Sequence, residues 1–349
     1  VPVAIIGQAF PYTPVANPRY LIPDWSFGIR DESLQKYIDK ARDEGAQIVA
    51  LLSHNGMDVD IKLAGKVTGL DVIFGGHTHD AVPEPFEVKN RSGMTLVINS
   101  GSNSKFLSVL DFEVKKGKIK NYAYSLLPIF SNYLAPDPTM AAYIKKVRKP
   151  YESELSEVLS VSDDLLYRRG NFNGTFDQLI LDAMQDVQDA EIAFSPGFRW
   201  GVSVMPGEPI TKEHVMTQTA ITYPTATLNR ITGKDIKLIL EDVADNLFNV
   251  DPYYQQGGDM VRVGGLKYSI SPNEKIGKRI NDMELNGKRI DANKKYRVAG
   301  WAAVSRPVEG QPIWEVVEEY LSQKDTVSVS EVNMPKIKGL KKNKGIVLL

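Results

Sequence analysis

A chain of 349 residues is too long for one ordinary core, so two domains are expected. Hydrophobic residues make up 42%, charged residues 24%, and the net charge is -1, which leaves no basic excess for binding nucleic acid. No apolar run is long enough for a bilayer span, so no membrane partner is expected. The absence of cysteine excludes disulfides, thiolate metal sites and a cysteine nucleophile, and fits an oxidising compartment.

The chain opens on VPVAIIG, which reads as a buried strand. No Met, basic n-region or apolar h-region precedes it, so a preceding segment is expected to be missing. DESLQKYIDKARDEG reads as a helix, with Leu34, Tyr37, Ile38 and Ala41 at helical spacing and Gly45 as its stop. QIVALLSH is a strand, MDVDIKLAGKVTG a helix and DVIFGGH another strand, the βαβ alternation of a layered α/β domain. TLVINSGS and FLSVLDFEV continue the strands, with KKGK as a hairpin turn. A charged helical stretch follows, with Pro150 expected to bend or break it. Beyond Val161, NGTFDQLILDAMQDV and TGKDIKLILEDVADNLF read as helices and EIAFSP as a strand. Residues 260–290 read as hairpins, with a tight turn at Asn286-Gly287. YRVAGWA is a strand, IWEVVEEYLSQ a late helix, and the basic tail PKIKGLKKNKGIVLL a solvated surface segment.

Three of the four histidines lie in two short motifs, LLSHNG and FGGHTHD, each ending a strand. Ligands bind outside the carboxyl ends of strands in open α/β sheets. His54, His77 and His79 are therefore expected to converge there as metal ligands, with both imidazoles of the HxH pair projecting to one side of an extended turn. Gly75 and Gly76 would let the backbone approach closely, and Asp80 would fix an imidazole tautomer. Asn55 either orients substrate or water or caps the next helix. His214, in ITKEHVMTQ, reads as an ordinary helix residue, and Arg168 and Arg169 as solvated.

LLSHNG followed by DVIFGGHTHD resembles the last two metal motifs of the calcineurin-like metallophosphoesterases. NGTFDQLILDAM, FSPGFRWG, PGEPIT and TGKDIKLILED resemble the C-terminal domain of their 5'-nucleotidase branch. The resemblance implies an α/β fold in three parts. Residues 1–134 would form the C-terminal part of a layered metallophosphoesterase domain, a β-sandwich core with flanking helices. Residues 135–160 would be a linker helix, and 161–349 an α/β substrate-binding domain. GQAFPYTPVANPRY, RRGNFNGTFDQL, SPGFRWG and YYQQGGDMVRVGG resemble the SoxB branch, sulfur hydrolases of bacterial thiosulfate oxidation.

What the resemblance implies is a periplasmic di-metal hydrolase, with two divalent ions, manganese by analogy. It would release sulfate from a cysteine S-sulfonate on a SoxYZ-like carrier protein. Arg199 would receive the substrate anion, its fork matching a tetrahedral oxyanion, with a plain surface arginine as the other reading. Tyr253, Tyr254, Asp259 and Trp301 would line the substrate cleft. The family's earlier motifs, Asp-x-His, Gly-Asp and Asn-His-Glu/Asp, are not found here. This implies that the missing N-terminal segment of the same protein is needed as a partner for activity. A 5'-nucleotidase or cyclic-nucleotide phosphodiesterase, and a non-catalytic binding fragment, are the alternatives.

Overall fold

The computed structural model describes residues 1–168, 170–199, 201–304 and 309–340. Arg169, Trp200 and the basic tail from residue 341 onward lie outside the described residues. The chain divides into two compact units, Val1–Ala141 with Val250–Gly257, and Ala142–Asn249 with Gly258–Leu349.

The first unit starts with strand β1 (Val3–Gln8), a short helix α1 (Thr13–Ala16) and helix α2 (Asp31–Asp43). Strand β2 (Ile48–Ser53), helix α3 (Met57–Lys66) and strand β3 (Val72–Gly75) follow. Next come β4 (Phe86–Asn90), β5 (Gly93–Asn99) and the long hairpin β6 (Phe106–Lys115) and β7 (Lys118–Pro128). The sheet runs β1-β2-β3-β5-β4, parallel except for β4. Side-chain alternation decides its layers. Val49, Leu51, Ile73 and Val97 pack with Leu34 and Ile38 of α2 and Leu63 of α3. Ala50, Val72 and Leu96 point the other way, against Leu110, Phe112 and Tyr122 of the hairpin. Both faces of the central strands are thus covered, as a parallel sheet requires. β1 corrects the expectation of a buried strand. It is an edge strand, and Val3 and Ile5 are exposed.

Helix α4 (Pro138–Arg148) ends two residues before Pro150, whose ring cannot continue a helix, and a short α5 (Glu152–Leu155) follows. The second unit then carries β8 (Val158–Ser162), α6 (Thr175–Val187), β9 (Ile192–Ser195), β10 (Pro209–Thr211), α7 (Lys212–Thr219), β11 (Ala226–Thr232) and α8 (Gly233–Phe248). After these come β12 (Arg262–Gly264), β13 (Leu266–Ile270), β14 (Ile280–Leu285), β15 (Lys288–Arg289), β16 (Lys295–Trp301), α9 (Ile313–Ser322), β17 (Thr326–Val327) and β18 (Lys336–Ile337). The sheet β11-β16-β9-β12 is the middle layer. Ala193, Ala299 and Trp301 face α6 and α9, while Ile192, Val298 and Val263 face α8 and β13. Thr232 caps α8 by accepting from the Asp235 N–H. Asn286 and Gly287, both at positive φ, form the tight turn between β14 and β15. His214 completes a capping box with Thr211 at the start of α7. Lys336–Ile337, in the basic tail, pairs in parallel with β13. Among the described residues no helix is long and apolar enough to cross a membrane.

Ile180 of α6 is fully buried in the core of the second unit. Ile180→Ala is expected to destabilise the chain by about 2–5 kcal/mol in urea unfolding. Leu238→Ala, on the exposed side of α8, should change stability by less than about 0.5 kcal/mol.

Candidate functional site

In the first unit the carboxyl ends of β2 and β3 bring two histidines together. His54 follows β2 directly and is exposed; His77 follows Gly75-Gly76 at the end of β3. Their ring centroids are 5.3 Å apart. Metal–nitrogen bonds of about 2.0–2.1 Å put two imidazoles sharing one ion roughly 5 Å apart, so this pair fits part of one ion's ligand set. The His77 ring stacks on Phe10 at 4.1 Å, and its Nε2 lies 3.0 Å from the Gln256 carbonyl. Donation from Nε2 to that carbonyl leaves the lone pair on Nδ1, the tautomer control typical of metal-ligating histidine.

His79 does not complete the expected trio. Among the described residues no three His, Asp or Glu side chains stand close enough to hold a metal ion. The reason is the backbone. The HxH segment is not an extended turn, because His77 and His79 both take positive φ, 69° and 59°. Thr78 N–H donates to Gly76 O at 2.9 Å, closing a γ-turn about His77. Thr78 Oγ1 accepts from the Met57 N–H at the start of α3 and donates to Asp80 Oδ2 at 2.5 Å. The Asp80 carboxylate thus accepts a hydroxyl hydrogen bond, which was not the role expected of it.

Beneath the pair lies Asp60 of α3, fully buried. Its Oδ1 accepts from Ser53 Oγ at 2.6 Å and Asn55 Nδ2 at 3.1 Å. Burial pushes its pKa up to about 6, although those two hydrogen bonds pull it down. Asn55 is 2% exposed and does not cap α3; that position is Gly56, without a side-chain cap. Asn55 therefore braces the loop through Asp60, while its Oδ1 finds no hydrogen-bond partner among the described residues. Sequence reasoning missed Asp60 because an Asp on an amphipathic helix ordinarily reads as solvated.

Tyr253 and Tyr254 lie in the segment that packs with the first unit. The Tyr253 ring sits under Lys62 Nζ at 4.2 Å and Lys66 Nζ at 4.8 Å, its backbone carbonyl accepts from Tyr12, and Lys62 pairs with Asp251. Tyr253, expected to line the substrate cleft, has a ring face occupied by these lysines. Tyr254 stays 66% exposed. Gly257, at φ +73°, faces His77, and a Cβ there would stand 2.6 Å from Nε2.

In the second unit, Arg199 belongs to a ladder of buried charges. The Arg199 Nε lies 3.7 Å from Asp259 Oδ1, and Asp259 Oδ2 accepts from Arg262 Nη2 at 2.9 Å. Arg262 Nε lies 3.3 Å from Asp177 Oδ2, and Asp177 Oδ1 accepts from Arg168 Nε at 2.7 Å. Three guanidiniums face two carboxylates, and Arg199, 15% exposed, is the most accessible of the five side chains. Arg168 thus corrects its solvated reading, since its side chain is fully buried and also donates to the carbonyls of Gln218 and Pro196. Asp259, expected to touch substrate, instead lies between Arg262 and Arg199. Trp301, also expected in the cleft, is 6% exposed, donates to Ser195 Oγ at 2.8 Å and packs edge-on against Phe198. It supports the Arg199 loop from the core.

The raised pKa of Asp60 has a consequence for stability. The folded metal-free chain holds this proton to about pH 6, whereas an unfolded Asp releases it near pH 4. The folded state therefore binds more protons in that window, and stability falls as pH rises through it. Asp60→Asn is expected to remove this slope, on the order of 1–3 kcal/mol between pH 4 and 7, in urea titrations of both chains.

Comparison with known proteins shows what these features resemble. Residues 161–311 match the model of the 5'-nucleotidase C-terminal domain. The sulfate thiohydrolase SoxB of Thermus thermophilus, solved with glycerol, superposes with a TM-score of 0.91 at 38% identity, covering 97% of this chain and 63% of that one. The trifunctional nucleotide phosphoesterase YfkN of Bacillus subtilis is 27% identical over 273 residues, 74% of this chain and 18% of its own length. A snake venom 5'-nucleotidase of Naja atra is 25% identical over 318 residues, 81% of this chain and 58% of its own length. The chain thus spans less than two thirds of each of these three relatives. Residues 161–311 thus form a 5'-nucleotidase C-terminal domain, and the chain is similar to SoxB along nearly its whole length.

Proposed function

We propose that this chain is the larger part of a di-metal hydrolase that releases sulfate from a cysteine S-sulfonate carried on a SoxYZ-like protein in the periplasm. The observation that carries this reading is the 38% identity to a sulfate thiohydrolase over 97% of the chain. The lack of cysteine fits the oxidising compartment. When bound, divalent cations, manganese by analogy, supply a water of lowered pKa and clamp the oxygens of an in-line displacement.

His54 and His77 would hold one ion, with Gln256 fixing the His77 ring. His79 would serve the second ion together with ligands from a segment outside these 349 residues. The exposed apolar side chains of Val3 and Ile5 on edge strand β1 favour such an additional segment. Arg199 would receive the sulfonate oxygens through charge-assisted hydrogen bonds, with Asp259, itself held by Arg262, keeping its guanidinium in place. A 5'-nucleotidase activity is the second reading, favoured by the nucleotidase and phosphoesterase names of the curated relatives.

The test uses the longer protein, loaded with Mn²⁺, on a cysteine S-sulfonate peptide, AMP and bis-nitrophenyl phosphate. Sulfate release from the peptide is expected. Turnover of the phosphate esters alone would overturn the proposal and leave the nucleotidase reading. Arg199→Ala should raise KM for the S-sulfonate about 10- to 100-fold, the loss of one or two charged hydrogen bonds.

A further inference from the structure

A metal centre built on two strand ends needs those ends held in register with each other. In the first unit one buried side chain touches both. Asp60 is 0% exposed and enters from the first turn of α3, between β2 and β3. Its Oδ1 takes hydrogen bonds from Ser53 Oγ and Asn55 Nδ2, the residues on either side of His54. Ser53 Oγ in turn accepts from the Asn55 N–H at 3.2 Å, so the backbone around His54 is tied to the same carboxylate. The other oxygen, Oδ2, faces β3. A Cβ on Gly75, two residues before His77, would stand 2.9 Å from it. Only glycine leaves room there for the carboxylate. Gly76 completes the close approach, since its Cβ position lies 3.4 Å from His54 Nδ1.

We infer that Asp60 is a positioning residue: its carboxylate joins the end of β2 to the end of β3 and so fixes where the His54 and His77 imidazoles stand relative to each other. Asp60 is not itself a ligand. It acts by hydrogen bonds through Ser53 and Asn55 on one side and, on the other, by packing alone, its Oδ2 making no hydrogen bond among the described residues but filling the space that a side chain on Gly75 would need. The inference rests on the reading of His54 and His77 as cation ligands for its functional meaning, but the positioning itself is visible without metal. Hydrogen-bond acceptance by Oδ1 carries the effect on the His54 side, so asparagine, which keeps that acceptor, should substitute for aspartate, and alanine should not.

The four histidines make this directly measurable by long-range ¹H–¹⁵N correlation of the imidazole rings in the metal-free chain. His214, bonded to Thr211 in the second unit, is the internal control. In Asp60→Ala the His54 and His77 ring signals are expected to shift or broaden while those of His214 stay in place. Asp60→Asn should return the parent spectrum. If Asp60→Ala fails to fold, shown by loss of the His214 signals, Ser53→Ala removes one of the two donors to Oδ1 and should move the His54 signals alone. His54 and His77 signals unchanged in the folded alanine variants would overturn the inference. Mn²⁺ titration then separates this result from the metal reading. The parent should show selective broadening at His54 and His77, and Asp60→Ala should need about 10- to 100-fold more Mn²⁺, the usual effect of removing an outer support of a ligand. Absence of selective broadening in the parent would remove the metal reading while leaving the ring positions decided by the metal-free spectra.

Discussion

Both faces of the β2–β3–β5 region are covered, one by helices and the other by the β6–β7 hairpin, and this constraint organises the first unit. Side chains along these strands are mostly apolar, because little solvent reaches them; Leu52 near the end of β2 is exposed, and the buried Thr95 of β5 donates its hydroxyl to the Leu70 carbonyl. Polar groups are therefore driven to the strand ends, where the backbone leaves the sheet. The histidine motifs sit at those ends for that reason. The one carboxylate found deep beneath them, Asp60, survives burial because Ser53 and Asn55 both donate to it.

The second unit solves a different version of the same problem. Its buried charges form a ladder in which each carboxylate is shared by two guanidiniums, from Arg168 through Asp177, Arg262 and Asp259 to Arg199. Taking any one member away would leave a neighbour charged and dry, so the members are held as a group. Arginine suits this because its fork bonds in two directions at once and keeps its charge. The ladder ends at its most accessible guanidinium, whose position is fixed from behind by Asp259.

Much of this was legible in the sequence where the information is local. The alternation of DESLQKYIDKARDEG, QIVALLSH and DVIFGGH gave the layered unit, the proline at 150 marked the end of α4, and Asn286-Gly287 marked its turn. The histidine motifs pointed to two strand ends that do bring the His54 and His77 rings together. What failed depended on contacts distant in the chain. Arg168 looks like any surface arginine until Asp177 and Arg262 are seen around it. Trp301 offers an aromatic ring, and only the packing of Phe198 and Ser195 shows that the ring is core. Tyr253 likewise has its face taken by Lys62 and Lys66. Alternation alone also could not show that β1 is an edge strand, because edge and interior strands are equally apolar in a short run. The HxH spacing misled for a subtler reason. Two residues separated by one share a side only if the backbone is extended, and here it turns left-handed at both histidines.

Those left-handed turns set a balance in the molecule. Glycine adopts such angles without penalty, whereas a residue with a Cβ is held there against a cost of roughly 1 kcal/mol or more. His77 offsets part of that cost by stacking on Phe10 and bonding the Gln256 carbonyl, so glycine there would relieve the backbone angle only by giving up both contacts. The loop thus carries its strained angle together with the contacts that hold it, and keeps nitrogen lone pairs at the rim of the sheet.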